Sequence, residues 1–143
     1  MGRSYQYECP KCGYKARVSG RADDGLNFSV QTILCRDCKE LHDAVVRLRV
    51  AEDLAARMRN SFRQFQRPAS SRPARFSTKP APKFEAALNR LRYNGIRNAQ
   101  WITYRIGCPV SPYHRVRAWN EPDHCPRCGL YLERSALPFR IWD

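Results

Sequence analysis

Apolar and polar residues alternate over short runs at both ends of the chain, the pattern of half-buried β-strands. Residues 26–30 alternate apolar with polar side chains, and residues 46–50 alternate valine or leucine with arginine. Turn residues lie at or near each cysteine pair between such runs. The alternation predicts one small β module over residues 1–50 and a second over residues 96–143.

The centre of the chain changes to helical spacing. Apolar residues three or four positions apart predict an amphipathic helix over residues 51–65. A second helix is predicted over residues 84–95, where it ends at an Asn-Gly pair. Between them, residues 66–83 are rich in proline and carry five cations and no acid. Proline removes backbone donors, so this segment is predicted to be an extended linker.

Six of the seven cysteines form three Cys-x-x-Cys pairs, and this spacing is typical of metal ligands. Each pair places two thiolates on one tight turn, and two such turns complete a tetrahedron around zinc. The first two pairs are separated by the length of a β-hairpin. We therefore predict a zinc site formed by Cys9, Cys12, Cys35 and Cys38.

The remaining pair has an incomplete partner. Cys108-Pro-Val-Ser111 has serine where a four-cysteine ribbon would have its last thiolate, and His114 lies close enough in sequence to replace it. His124 is the weaker candidate because it directly precedes a cysteine of the same turn. A second zinc site is predicted from Cys108, His114, Cys125 and Cys128, which gives two zinc ions per chain.

Each half of the chain holds too few apolar residues for a self-sufficient core, and domains of that size commonly need metals or disulfides. Metal ions are therefore expected to hold the modules together. The predicted fold class is a small metal-stapled α+β protein. In it, two zinc-ribbon-like β modules are joined by two short helices and an extended basic linker.

Two turns carry a family resemblance. Cys9-Pro-Lys-Cys12-Gly and Cys125-Pro-Arg-Cys128-Gly resemble the knuckles of the zinc-ribbon and rubredoxin-like group of small bacterial proteins. The resemblance implies a role in binding RNA, DNA or other proteins, as in subunits of ribosomes and transcription machinery. Iron is the other metal it suggests. The pair Cys35-Arg-Asp-Cys38 lacks the proline and glycine of a rubredoxin knuckle, and a basic protein is an unusual electron carrier, so zinc is favoured.

The formal net charge is +13, and arginine supplies 21 of the 26 cations. Eight of the thirteen net charges lie between residues 51 and 100. Such an excess favours a polyanionic partner, and RNA or a ribonucleoprotein surface is the predicted one. The predicted contact residues are Arg57, Arg59, Arg63, Arg67, Arg72, Arg75, Phe76, Lys79 and Lys83. Phe76 and Trp101 could stack on bases. The other hypothesis is a structural subunit of a protein assembly, whose basic segment lies along acidic protein surfaces.

Catalysis is not predicted. A Cys-His nucleophile would use Cys108 and His114, but both are better employed as metal ligands. The sequence has no phosphate-binding glycine loop and no His-Glu-x-x-His motif, so no small-molecule substrate is expected. It also has no apolar stretch long enough to span a bilayer and no signal-peptide pattern near residue 1. A cytoplasmic, non-enzymatic protein is the expectation.

Overall fold

The computed structural model describes residues 1–51, 75–90 and 99–142. In that part of the chain, 46% of the residues lie in strands and 6% lie in one short helix. The elements in chain order are β1 (Gly2–Glu8), β2 (Lys15–Val18), β3 (Ala22–Asp24), β4 (Phe28–Cys35), β5 (Glu40–Ala51), β6 (Arg75–Phe76), α1 (Phe84–Arg90), β7 (Ala99–Thr103), β8 (Val116–Ala118), β9 (Glu133–Arg134) and β10 (Arg140–Trp142).

The predicted α+β class is therefore wrong, because the described residues form a mainly β structure. Of the helix predicted over residues 84–95, the structure describes α1 up to residue 90. The helix predicted over residues 51–65 lies outside the described residues, apart from Ala51, which ends β5. The strands near the C-terminus are too short for a clear period in sequence, and they form because long N-terminal strands offer them backbone partners. The predicted segment boundaries stay predictions.

A four-stranded sheet joins the two ends of the chain. Its order is β10-β1-β2, and β9 pairs with β1 on the same edge as β10. All of these pairs are antiparallel, with Gly2 opposite Trp142 and Tyr7 opposite both Ala16 and Arg134. The first strand of the chain is therefore held between its immediate successor and the two last strands.

Within the described residues, the second sheet has six strands in the order β3-β4-β5-β7-β6, and β8 also pairs with β4. The long β4–β5 hairpin is its centre, and its cross-strand pairs run from Cys35 opposite Glu40 to Phe28 opposite Leu48. The alternation in sequence predicted this hairpin, and the structure confirms it. β6 lies at the edge and pairs in parallel with β7, so a short edge strand lies within the proline-rich segment that was predicted as an extended linker.

Two apolar clusters fill the space around these sheets. The first cluster contains Tyr7, Cys9, Tyr14, Ala16, Val18, Leu34, Leu41, Trp119 and Cys125. The second contains Phe28, Val30, Val45, Leu48, Ala87, Ile102, Tyr104 and Trp142. In the second cluster the Trp142 ring stacks on Phe28 with centroids 4.5 Å apart and covers Gly2, where a Cβ atom would collide with it. The strand β10 therefore contributes Trp142 to the core that β4 and β5 form.

A half-buried carboxylate ties β2 to the second sheet. Asp43 on β5 accepts hydrogen bonds from the Ser19 backbone N–H at 2.9 Å and from the Thr32 hydroxyl at 2.7 Å. Burial raises the pKa of Asp43 to about 6, against the lowering effect of these donors. These hydrogen bonds fix the end of β2 against β4 and β5. Among the described residues, no helix is both long enough and apolar enough to cross a membrane.

Candidate metal centres

The turn that follows β1 has the geometry of a metal-binding knuckle. The Gly13 N–H donates to the Cys9 carbonyl at 2.9 Å, and the Cys9 N–H donates to the Tyr14 carbonyl at 2.8 Å. Gly13 has a φ of 71°, a left-handed conformation that glycine adopts without strain. The turn aims the sulfurs of Cys9 and Cys12 in one direction.

A second turn, before β9, repeats this geometry. The Gly129 N–H donates to the Cys125 carbonyl at 3.0 Å, and the Cys125 N–H donates to the Leu130 carbonyl at 2.6 Å. Gly129 has a φ of 76°. The two Cys-Pro-x-Cys-Gly sequences therefore fold into matching knuckles, although more than a hundred residues separate them.

These two knuckles face each other. The sulfurs of Cys9 and Cys128 are 3.3 Å apart, and those of Cys12 and Cys125 are 3.7 Å apart. Four thiolates bound to one ion at about 2.3 Å would be about 3.8 Å apart along each edge of the tetrahedron. All four sulfurs lie within 4.8 Å of one another, so this group, the first centre, can hold one metal ion.

The second centre consists of Cys35, Cys38, Cys108 and His114. Cys35 ends β4 and Cys38 lies in the turn that follows it, whereas Cys108 and His114 lie in the loop between β7 and β8. The His114 Nδ1 atom is 3.3 Å from the Cys38 sulfur and 3.6 Å from the Cys35 sulfur. The sulfurs of Cys38 and Cys108 are 3.8 Å apart. A sulfur–nitrogen edge around zinc would be about 3.6 Å, so this group can also hold one ion.

Backbone contacts hold the two loops of the second centre together. The Arg36 N–H donates to the Arg115 carbonyl at 3.0 Å, and the Arg115 N–H donates to the Asp37 carboxylate at 2.6 Å. Sulfur atoms also accept backbone N–H groups, from Cys38 to the Cys35 sulfur and from Val110 to the Cys108 sulfur. The ligands are therefore positioned by the protein backbone as well as by any ion.

The thiols of each centre have unequal acidities. A backbone N–H of Cys12 directed at the Cys9 sulfur lowers the pKa of Cys9 to about 6. In the second centre, burial and the neighbouring sulfurs of Cys35 and Cys108 raise the pKa of Cys38 to about 12. Several thiolates this close together repel one another, and a bound cation removes that repulsion. The electrostatics of both clusters thus favour a metal ion.

All eight predicted ligands lie in these two groups, but their pairing corrects the one predicted from sequence. Cys9 and Cys12 face the C-terminal knuckle, not Cys35 and Cys38. Likewise Cys108 and His114 face the β4–β5 turn, not Cys125 and Cys128. The physical reason is that β9 and β10 pair with β1 while β8 pairs with β4. These pairings bring the C-terminal ligands of each centre next to its N-terminal ligands, which lie beside β1 and β4. The two matching knuckles were the signal in sequence that could have indicated the correct pairing.

His124, the weaker ligand candidate, lies outside both centres. Its ring packs against Tyr131 with centroids 4.4 Å apart, and its Nδ1 atom is 3.0 Å from the Asp123 carboxylate. That carboxylate also receives two hydrogen bonds from Arg117, which lower the pKa of Asp123 to about 2. His124 is therefore engaged in a hydrogen-bond network beside the first centre.

The predicted nucleic-acid contacts are only partly described. Arg57, Arg59, Arg63, Arg67 and Arg72 lie outside the described residues. Arg75 and Phe76 form β6, and the Phe76 side chain is 78% exposed. Lys79 and Lys83 have exposed side chains, and Lys83 forms a backbone bridge with Ala44. The sequence also did not indicate that Arg47 would lie over the ring of Trp101.

Comparison with known proteins gives no relative for this arrangement. No protein-family model, no curated protein and no solved structure matches the chain. The two ligand groups are compatible with a zinc-ribbon-like protein, and the case for that likeness rests on the knuckles themselves.

Proposed function

We propose that this protein is a non-enzymatic, zinc-binding adaptor that binds nucleic acid, most favourably RNA or a ribonucleoprotein surface. Its two metal ions hold the fold together, and its cations contact the phosphates. The observation that carries the nucleic-acid part is the formal charge of +13, of which eight lie between residues 51 and 100.

Zinc is the proposed metal at both centres. Four thiolates, or three thiolates and one imidazole, form the donor sets of structural zinc sites. Iron deserves measurement at the first centre, because the observed pairing brings two Cys-Pro-x-Cys-Gly knuckles together there. Elemental analysis of the purified protein for both metals decides between them, and we expect close to two zinc ions per chain.

The chemistry of the two centres supports a structural role. Each offers four protein ligands, so a tetrahedral ion there has no open position for water or substrate. Cys108 and His114, the pair that a Cys-His nucleophile would need, are both directed into the second centre. Reduced cysteines are required throughout, and a reducing compartment such as the cytoplasm is the proposed location.

Salt dependence tests the nucleic-acid proposal. If about five cations contact the phosphates of a single strand, log K should fall with log salt at a slope of about −3.5, roughly a 100-fold loss between 50 and 200 mM salt. Fluorescence anisotropy of a labelled mixed-sequence RNA measures it. An absence of binding at 50 mM salt would contradict the proposal and favour a subunit that binds acidic protein surfaces.

A charge-matched pair of variants refines this test. Changing Arg63, Arg67 and Arg72 to Gln should weaken binding and reduce the slope by about 2, since three phosphate contacts are lost. The control changes Arg3, Lys11 and Arg21, which are exposed, to Gln. It removes the same net charge from the N-terminal part of the sequence, away from the basic centre, and its effect on binding should be much smaller. Equal effects would mean that net charge, not local contact, drives binding.

A further inference from the structure

Three strands of the second sheet share an outer face that carries arginine and aromatic side chains. Arg47 and Phe76 are both register partners of Thr103, so these three residues form one row across β5, β7 and β6. Arg49 is opposite Trp101 and belongs to the next row on the same face, because residues two apart along a strand point the same way. We call these five residues the arginine-aromatic face.

The opposite face of the same strands is the one that packs inward. Leu48 and Ile102 alternate with the residues of the arginine-aromatic face and are buried in the second cluster beside α1. The buried apolar side chains of these strands therefore lie on the inner face of the sheet. Trp101 and Phe76 are not required to fill that core, which leaves their rings available for another role.

Arg47 contacts an aromatic side chain of the same face. Its guanidinium carbon lies 4.9 Å from the centre of the Trp101 ring. A guanidinium stacked on an indole keeps its in-plane N–H groups free to form paired hydrogen bonds with an oxyanion. Within residues 1–51, 75–90 and 99–142, no carboxylate forms an ion pair with Arg47 or Arg49. The two cations are not neutralised by that part of the protein.

Strand ends of this sheet connect in sequence to the most basic part of the chain. β5 ends at Ala51, β7 begins at Ala99 opposite it, and β6 runs parallel to β7 from Arg75. These three strand ends therefore lie on the same side of the sheet. The sequence that follows β5 and precedes β6 and β7, residues 52–74 and 91–98, contains seven arginines and two acids.

We propose that the arginine-aromatic face is a binding platform for single-stranded nucleic acid. Bases stack on Phe76 and Trp101, and Arg47 and Arg49 bind the neighbouring phosphates. This inference rests on the proposed function and deepens it by naming the surface and the single-stranded form of the ligand. Charge complementarity favours nucleic acid, since a strand supplies flat rings and phosphates at regular intervals.

Tryptophan fluorescence reports selectively on ligand binding at the arginine-aromatic face. The chain has three tryptophans, and Trp119 and Trp142 are 0% and 3% exposed, so Trp101 is the one that a ligand can reach. We expect a 12-nucleotide oligouridine, or oligothymidine, to quench the emission as it binds. We also expect iodide to quench Trp101 in the free protein. A Trp101 shielded from iodide would mean that the chain itself covers the face, which would overturn the platform.

Variants separate stacking from charge. Phe76→Leu and Trp101→Leu should each weaken oligouridine binding roughly 5- to 100-fold and leave the slope of log K against log salt unchanged. Trp101→Phe should retain most of the affinity. Phe76 is 78% exposed, so its variant stays informative if Trp101→Leu fails to fold. The matched control is Phe139→Leu. The Phe139 ring is 46% exposed and lies under the guanidinium of Arg17, a residue of the other sheet, so this variant should bind as the wild type does.

The outcomes distinguish the two proposals. Oligouridine binding that is salt-dependent but unaffected by either aromatic variant would overturn the platform and leave the proposed function intact. An absence of binding to any nucleic acid at 50 mM salt would contradict both the proposed function and the platform. Binding of polyglutamate as tight as that of oligouridine would identify a surface for acidic protein segments and would also overturn the platform.

Discussion

If both centres hold zinc as proposed, its removal by a strong chelator is expected to unfold the described sheets. The first centre joins residues 9 and 128 and the second joins residues 35 and 114, so one loop is nested within the other. Structural zinc contributes about 10 to 16 kcal/mol in small domains, which is comparable to the total stability of about 5 to 15 kcal/mol typical of a folded protein. The emission of the buried Trp119, beside the first centre, should shift to longer wavelength as the metal leaves.

The control for this experiment is the same chelator already saturated with zinc, which should leave the emission unchanged. Addition of excess zinc to the stripped, reduced protein should restore the original spectrum. A protein that has lost all metal by elemental analysis, yet keeps its buried-tryptophan emission and its amide protection, would contradict the proposed role of the ions.

Trp119→Ala is expected to cost about 3 to 5 kcal/mol in the free energy of unfolding. The Trp119 side chain is fully buried and contacts the Tyr7 ring edge to face, with centroids 5.2 Å apart. Its indole N–H donates to the His124 carbonyl at 3.0 Å, and its backbone N–H donates to the Thr32 carbonyl at 2.9 Å. It therefore joins the β4 strand, the β1 strand and the C-terminal knuckle, and its removal leaves a cavity among all three.

Urea denaturation of the metal-loaded protein measures this loss, and Trp101→Ala is the matched control. Trp101 is partly exposed and belongs to neither apolar cluster, so its substitution should cost less than half as much. Equal losses at the two positions would show that Trp119 does not have the central place described for it.

The ligands of the metal centres could be predicted from the sequence because each half-site is local. A Cys-x-x-Cys turn fixes its own geometry within five residues, whatever the rest of the chain does. Replacement of the missing thiolate by His114 followed from the same short-range argument. The β4–β5 hairpin was predictable too, because its alternation is long enough to give a clear period.

Which Cys-x-x-Cys pairs share a metal ion could not be derived from their spacing in sequence, because loop-closure free energy changes little with loop length. Cys12 and Cys35 are 23 positions apart, whereas Cys12 and Cys125 are 113 apart. Loop closure over the longer distance costs only about 1.4 kcal/mol more. The β1–β9 and β1–β10 pairs and the burial of Trp142 on Phe28 outweigh so small a preference. Those contacts involve strands of two or three residues, which carry no pattern of their own.

The predicted fold class was wrong because strands dominate the described residues, which contain one short helix. The short strands β8, β9 and β10 are defined by their partners on β1 and β4, so sequence alone made them look like a separate module. The helix predicted over residues 84–95 is described only as α1, whose Phe84, Ala87 and Leu88 turn toward the second cluster. Tertiary packing, not local propensity, determines which of these short segments are ordered as strands.

The crossed pairing of the half-sites is the central claim, and metal content in two double variants tests it most directly. Cys12→Ala with Cys128→Ala removes two ligands of one centre, so the purified protein should retain close to one metal ion per chain. Cys12→Ala with Cys38→Ala damages both centres, and that protein should retain close to none. The reverse result, one ion in the second variant and none in the first, would mean that the half-sites pair in sequence order and would contradict the architecture described.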